Sequence, residues 1–350
     1  MKKVYLHRTL YFCGILASFV IIAMLAPGCG NGGDISPSTK DGVVFNDSEL
    51  ERLIREAIGQ PEGAIEPEKL EKLSRLELDG WFIQDITGLE YCTNLTYLDL
   101  NTNEITDISA LAGMTGLTEL NLINNNISDI SPLSSMAELD ILYLGSNQVS
   151  DISPIAGCTS ITKLYIWNNQ VTDVAALAGL TKLTELILWQ NQIEEVSSLS
   201  ALTNLQILWL SSNSIHNLTG LEAMVNLTYL DARENEITDI TALSYLTNLV
   251  TLNLSRNSIE DVSPLASLTE LEELYLGANK IQNIGPLTSL KKLKYLRLED
   301  NEIRDLESWS HYIPAEGRHL VIFIQNNPLS EKSLSTYIPA MQDNGLAVMR

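Results

Sequence analysis

An acidic side chain recurs every 22 residues through most of this 350-residue chain, and carboxylates are groups that can bind a metal ion. The row consists of Asp107, Asp129, Asp151, Asp173, Glu195, Asp239, Asp261 and Asp305, with Asn217 and Asn283 interrupting it. A calcium site draws several oxygen ligands from one loop, whereas this spacing supplies one per repeat. We therefore predict no metal. Capping of a following turn through backbone amides, or simple exposure to solvent, is favoured, and a stacked calcium site is the alternative.

Other residue combinations that could support catalysis do not form recognisable sets. The sequence has no Ser/His/Asp or Cys/His arrangement, no glycine-rich phosphate loop, and no carboxylate pair distinct from the acidic row. His216, His311 and His319 are scattered and match no set of cysteine ligands. We therefore predict that the protein is not an enzyme and needs no cofactor.

The residues that could do chemistry are positioned by a repeat of 22 residues. Its marker is a row of ten asparagines: Asn103, Asn125, Asn147, Asn169, Asn191, Asn213, Asn235, Asn257, Asn279 and Asn301. With each asparagine as position zero, leucine or a close substitute recurs at −8, −5 and −3, isoleucine or valine at +2 and +5, and leucine at +8. The resulting motif, L-x-x-L-x-L-x-x-N-x-I, is that of a leucine-rich repeat, which adds one short strand per turn to a parallel sheet.

The predicted fold is an α/β repeat, a leucine-rich repeat solenoid of horseshoe shape with its parallel sheet on the concave side. Stacked coils bury the leucine rows, and the asparagine row is interpreted as structural, since an amide can satisfy backbone groups inside the turn. The pairs Ser131-Pro132, Ser153-Pro154 and Ser263-Pro264 predict serine N-caps and short 3-10 turns on the convex side.

Aromatic residues gather on one predicted face of the sheet. Positions −5 and −3 point into the core, so by alternation −6, −4 and −2 face the concave surface. On four adjacent coils those positions hold the candidate binding residues Tyr143, Tyr165, Trp167, Ile187, Trp189 and Trp209. Exposed aromatic patches usually mark a binding surface, and cross-strand packing is the alternative. Farther along, Tyr229, Asp231 and Arg233 predict a more polar rim.

The repeats, residues 73–309, are expected to lie between two caps. In the N-terminal cap, 43–72, Ser48 and Glu51 form a predicted capping box for a helix that ends at Gly59, and a second short helix is expected over about 67–73. The C-terminal cap, 310–350, should contain a strand over 320–324, a helix over about 330–341 and a strand over 346–349. We expect this ending to cover the last sheet edge.

The first 28 residues resemble an export signal. Lys2, Lys3 and Arg8 precede an apolar run over 10–26, and Ala26 to Cys29 fits an imperfect lipoprotein cleavage site. We predict lipidation of Cys29, with a plain cleaved signal or an uncleaved anchor as alternatives, and a flexible tether over 29–42. Cys92 and Cys158 lie three coils apart, too far for a disulfide, and are interpreted as buried thiols.

Net charge limits the class of partner. The full chain carries a formal charge of −22, and loss of the three cations in residues 1–28 would make it −25. Such a surface repels nucleic acid and anionic lipid headgroups, and it favours a cationic or neutral partner.

The Asn-Ile-x-x-Ile register, the Ser-Pro-Leu turns and the helical cap over 48–73 resemble the internalin-type leucine-rich repeat proteins of bacteria. In that family the concave face holds a protein ligand and the repeats do no chemistry, so the resemblance implies a cell-surface binding protein. The predicted protein is exported and lipid-anchored at the cell envelope or surface, or else secreted. Two alternatives stay open: carbohydrate or cell-wall binding, with Trp167, Trp189 and Trp209 stacking on sugar rings, and a structural envelope role.

The anchoring prediction is tested by metabolic labelling with an alkyne fatty acid. Wild-type protein should carry the label and Cys29→Ser should lose it, because the lipid is attached through that sulfur. Cys13→Ser, inside the signal, is the matched control and should stay labelled. Equal labelling of the wild type and Cys29→Ser would contradict the prediction.

Overall fold

Every strand in the described part of the chain is three residues long, and successive strands pair in parallel from one coil to the next. The computed structural model describes residues 42–350, and these contain a thirteen-stranded sheet whose strand order follows the sequence. The strands are β1 Arg75–Glu77, β2 Tyr97–Asp99, β3 Glu119–Asn121, β4 Ile141–Tyr143, β5 Lys163–Tyr165, β6 Glu185–Ile187, β7 Ile207–Trp209, β8 Tyr229–Asp231, β9 Thr251–Asn253, β10 Glu273–Tyr275, β11 Tyr295–Arg297, β12 Val321–Phe323 and β13 Ala347–Met349. The predicted solenoid is confirmed.

The register between strands keeps each repeat position in a straight row. Leu142 pairs with Leu164, and Leu164 pairs in turn with Leu186, so the central residue of each strand stacks on its counterpart. These leucines are fully buried, as are the other apolar rows of the repeat. Burial of one such side chain is worth roughly 1.5–3 kcal/mol, so stability grows with each coil that is added.

The repeat asparagines join one coil to the next from inside. Asn191 Oδ1 accepts a hydrogen bond from Val171 N at 3.0 Å, and its Nδ2 donates to Ile166 O at 2.9 Å and Leu188 O at 3.0 Å. Asn327, although 26 residues beyond Asn301, repeats the pattern by accepting from Ile303 N at 3.0 Å. The structural interpretation of the asparagine row is thus confirmed.

Short turns form the convex side, as predicted. Capping by the acidic row is confirmed, whereas the predicted serine N-caps are wrong. The 3-10 turns span Leu89–Tyr91, Ser109–Leu111, Ser131–Ser135, Ser153–Gly157, Ala175–Gly179, Ser197–Ala201, Thr241–Tyr245, Ser263–Ser267, Gly285–Ser289 and Glu307–Trp309. Ser131 and Ser153 do not cap them; instead Asp129 and Asp151 accept hydrogen bonds from the backbone amides of these two serines, both at 2.8 Å. The acidic row therefore caps the turns, because a carboxylate two residues earlier reaches the first free amide.

The N-terminal cap contains two helices, α1 Ser48–Ile58 and α2 Pro67–Leu70. The predicted capping box is wrong by one residue: Asp47 is the N-cap and accepts from Glu49 N and Leu50 N. Glu51 pairs with Arg55 instead. Leu50 and Ile54 are fully buried, so the apolar stripe of α1 closes the core as expected.

The C-terminal segment contains β12, a π-helical turn Ser333–Tyr337, α3 Ile338–Asp343 and β13. Trp309 replaces a core leucine, is fully buried, and donates from Nε1 to Ile284 O at 2.9 Å. The expectation that this ending covers the last sheet edge of the repeats is confirmed, because β12 pairs in parallel with β11, the last strand of the repeats, and β13 pairs in turn with β12.

Within residues 42–350 no helix is long and apolar enough to cross a membrane. Cys92 and Cys158 are buried free thiols, as predicted, and burial raises the pKa of Cys92 to about 12. The export signal, Cys29 and the tether lie outside the described residues, apart from Gly42, and stay predictions.

Asn191→Ala tests the contribution of the asparagine ladder to stability. The variant leaves one buried amide and two buried carbonyls without this partner, and each unsatisfied buried group costs about 1–3 kcal/mol. We expect the free energy of unfolding, measured with urea, to fall by about 3 kcal/mol. Gln170→Ala, at an exposed side chain of the preceding coil, is the control and should change it by less than about 0.5 kcal/mol. A similar small change in both variants would refute a structural role for the ladder.

Candidate functional site

The six predicted binding residues all lie on coils that are adjacent in the sheet. Tyr143, Tyr165, Ile187 and Trp209 end the strands β4 to β7, and Trp167 and Trp189 lie two residues beyond β5 and β6. We call these six residues the aromatic surface. Their common position in the repeat, four or two residues before an asparagine, places them on the concave side of the sheet.

The rings of the aromatic surface stack in pairs. Trp167 and Trp189 have ring centroids 4.7 Å apart and planes only 6° from parallel, and Tyr143 and Tyr165 are 4.7 Å apart at 11°. Neighbouring strands of a sheet lie about 4.8 Å apart, so the in-register coils impose this ring spacing. The side chains are held as a ladder.

Trp209 extends the ladder in another direction. Its ring stacks on Tyr229 of the next coil, with centroids 5.3 Å apart at 14°. Alternation along single strands placed Tyr229 in the predicted polar rim, because it does not show diagonal contacts between coils. By contact, Tyr229 belongs beside the aromatic surface.

Small residues bracket the tryptophan pair. A Cβ atom added to Gly145 would lie 2.3 Å from Cε2 of Trp167, so the indole ring rests directly on the glycine backbone. On the far side, the corresponding position of the next coil is Ser211, which is buried. A larger side chain at Gly145 would displace the Trp167 ring. Glycine at this repeat position therefore leaves room for the tryptophan that occupies the same position on the next coil.

Two predicted contact residues are not available at the surface. Ile187 is fully buried and Tyr165 is only 8% exposed, whereas Tyr143, Trp167, Trp189 and Trp209 are partly exposed. The expectation that every concave position of these coils is exposed is therefore wrong. Large rings on neighbouring coils cover the smaller side chain between them, so Ile187 supports the surface from below.

A buried carboxylate borders the aromatic surface on β8. Asp231 is 2% exposed, and its Oδ1 accepts from Arg233 N at 3.1 Å while Oδ2 lies 3.6 Å from Arg233 Nε. Burial raises the pKa of Asp231 to about 6, although the charge of Arg233 and the backbone bond oppose the rise. Asn253 makes the same backbone bond one coil later without an ionisable group.

The tyrosines of the surface are neutral hydrogen-bonding groups. Burial raises the pKa of Tyr143 to about 12, and the carboxylates of Glu119 and Glu185 add to the rise. Burial is also the main cause of the raised pKa of Tyr165. Both phenols therefore keep their protons at physiological pH, and the partly exposed Tyr143 hydroxyl can donate to a ligand.

No observation supports a metal site among residues 42–350. Among the described residues, no group of three or more His, Cys, Asp or Glu side chains is placed to hold a metal ion. The acidic row is engaged in capping; for instance, the amide of Ser131 and its hydroxyl lower the pKa of Asp129.

Family models for leucine-rich repeats match most of the repeat region. The model described as "Leucine Rich repeats (2 copies)" matches residues 115–157, 137–179, 159–198, 181–223, 225–267 and 269–311. A second model, "Leucine Rich repeat", matches residues 91–112. None of the curated proteins compared with the chain matches it.

Solved structures with the same fold include an internalin, InlF, from Listeria monocytogenes. It is 31% identical over 89% of this chain and 98% of its own, with a TM-score of 0.76. A leucine-rich repeat protein of Leptospira interrogans is 20% identical over 81% of this chain and 91% of its own, with a TM-score of 0.56. The plant peptide hormone receptor RGFR1, in complex with RGF2, is 19% identical over 82% of this chain and 53% of its own, with a TM-score of 0.62. The last two show the fold alone.

Asp231→Asn tests the electrostatics of the buried carboxylate that borders the aromatic surface. An aspartate in the unfolded chain has a pKa of about 3.9, so between about pH 4 and pH 6 the folded protein keeps a proton that the unfolded chain has lost. Stability therefore falls as pH rises through this window, by on the order of 3 kcal/mol. An asparagine at this repeat position can still accept the backbone hydrogen bond, as Asn253 does one coil later. The variant should therefore be more stable than wild type near pH 7 but little different near pH 4.

The matched control for this prediction is Asp129→Asn. The folded pKa of Asp129 is lowered, so its contribution is present above the unfolded pKa and lost as pH falls. That variant should be less stable than wild type near neutral pH, the opposite sign. A stability difference for Asp231→Asn that does not change with pH would contradict the assignment.

Proposed function

Because the chain belongs to the internalin-type leucine-rich repeat family, we propose that it is a lipid-anchored cell-surface protein that binds a protein ligand through the aromatic surface. The observation that carries this proposal is the ladder of partly exposed, stacked rings on the concave side. The repeats supply a rigid surface and perform no reaction.

Rigidity makes this surface suited to binding. Each ring is fixed by its neighbours, so little side-chain entropy is lost when a ligand covers it. Tryptophan and tyrosine are the residues most often found to dominate protein interfaces. A purely structural envelope protein would have no need of partly exposed tryptophans on this face.

Stacking of the rings supports a protein rather than a sugar as the proposed ligand. A sugar ring stacks on the face of an aromatic ring, but the faces of Trp167 are covered by Gly145 and Trp189. Trp167 and Tyr143 are nevertheless partly exposed. A ring whose faces are covered can still contact apolar side chains of a polypeptide, and a tyrosine hydroxyl can donate to a backbone carbonyl. The geometry therefore favours a protein ligand over carbohydrate.

The similar structures support the same choice. RGFR1, which shares the fold, is a peptide hormone receptor that was solved in complex with RGF2. The resemblance to internalins likewise implies a protein ligand on the concave face. Anchoring at Cys29 through the tether would present the solenoid at the cell surface; without lipidation, the same protein would be secreted.

Trp167→Ala and Trp189→Ala test the proposed binding surface. Residues 41–350 form a compact unit with its own core, so the exported chain from residue 29 retains the whole solenoid. This chain is used to capture a partner, which is then identified and titrated. Each variant should weaken binding at least about thirtyfold, equivalent to about 2 kcal/mol. The melting temperature should change little, because neither tryptophan belongs to the core cluster.

Two further variants separate positioning from contact. Gly145→Ala should also weaken binding, because the added methyl group displaces the Trp167 ring. Tyr245→Ala, at a 60% exposed ring on a convex turn, is the control and should bind as wild type does. Wild-type affinity in the Trp167→Ala, Trp189→Ala double variant would refute the proposed surface.

A further inference from the structure

Every cation at the concave positions of β1 to β12 is already paired within the chain. The positions concerned are six, four and two residues before each repeat asparagine or its equivalent, and they hold four cations. The pairs are Arg75 with Glu77 at 2.6 Å, Lys163 with Glu185 at 3.7 Å, Arg233 with Asp231 at 3.6 Å and Arg297 with Glu299 at 2.9 Å. The concave face therefore offers a ligand little unneutralised positive charge.

Negative charge, in contrast, is left over beside the aromatic surface. Asp99 on β2 and Glu119 on β3 form no ion pair within residues 42–350, although Asp99 is only 9% exposed and accepts hydrogen bonds from the backbone amide and side chain of Asn101, both at 2.9 Å. In register, Asp99 lies beside Asn121, which lies beside Tyr143 on β4. Glu119 is partly exposed. Burial raises its pKa and the charge of Asp99 adds to the rise, although Arg75 and Lys163 act in the opposite direction.

The chain itself shows how a cation is held on this face. The Arg75 guanidinium carbon lies 3.4 Å from the centroid of the Tyr97 ring, and its Nη2 lies 2.6 Å from Glu77 Oε1. A tyrosine ring and a carboxylate together form a favourable site for a guanidinium group. Tyr143, Asp99 and Glu119 supply the same two kinds of group, and no cation within residues 42–350 forms an ion pair with these carboxylates.

We infer that the ligand is a basic polypeptide segment, which presents an arginine or lysine side chain to Asp99 and Glu119 while its apolar residues cover the aromatic surface. This inference rests on the proposed function, since it names the chemistry of the partner at the same face. The net charge of −22 draws such a segment toward the protein, and the two carboxylates set where its cation binds.

The test uses an oligo-arginine peptide and an oligoglutamate peptide of equal length, titrated calorimetrically into the exported chain at physiological ionic strength. The arginine peptide should bind and the glutamate peptide should not. Glu119→Gln and Asp99→Asn should each weaken binding of the arginine peptide about tenfold. Asn121 makes the backbone bond of this repeat position with an amide oxygen, so Asp99→Asn should fold normally.

Matched controls separate a defined site from bulk charge. Glu138→Gln and Asp129→Asn remove the same charges from exposed positions outside the concave columns and should weaken binding less than about twofold. Equal weakening by all four variants, or binding of the glutamate peptide, would overturn the inference.

The captured protein partner separates failure of the inference from failure of the proposed function. If its binding is lost in Trp189→Ala but unchanged in Glu119→Gln, the aromatic surface stands and the basic-ligand inference fails. If neither variant changes its binding, both fail. Loss of binding in both variants, together with the peptide result, supports both.

Discussion

The distance between adjacent strands, about 4.8 Å, is the constraint on which the rest of the molecule depends. Each coil must sit one strand spacing from the next, and the repeat asparagines fix that spacing from inside by bonding to backbone groups of two coils, as Asn191 does. Aromatic rings attached at one repeat position are then held 4.7 Å apart, which is the separation at which they stack. The proposed binding surface is thus a consequence of the same register that builds the core.

The same register gives acidic side chains different properties according to their position in the coil. On the convex turns, Asp129 and Asp151 are exposed and their pKa values are lowered by hydrogen bonds from Ser131 and Ser153, so they serve as charged caps. On the concave side, burial dominates at Asp231 and raises its pKa to about 6. A carboxylate in the first setting stabilises a turn, whereas Asp231 in the second costs stability near neutral pH.

Most of the fold was predictable because a fixed 22-residue spacing leaves one way to bury the leucine rows. Contacts that depend on which residues occupy neighbouring coils were not predictable. The burial of Ile187 results from the larger rings beside it, and Trp209 meets Tyr229 along a diagonal that alternation within one strand does not show. Local hydrogen bonding decided the caps, since Asp47 and not Ser48 caps α1. At the C-terminal end the strand over 346–349 was predicted, but not its parallel pairing with β12, because the 22-residue spacing is broken there.

The claim that the concave aromatic surface holds the ligand is tested most directly by hydroxyl-radical footprinting of the exported chain with and without its captured partner. Oxidation of the partly exposed Trp167, Trp189 and Tyr143 side chains should fall when the partner is bound, because their exposed edges become covered. Tyr245, on the convex side, should be oxidised to the same extent in both states. Protection of Tyr245 with unchanged oxidation of the two tryptophans would place the ligand on the opposite side and contradict the account.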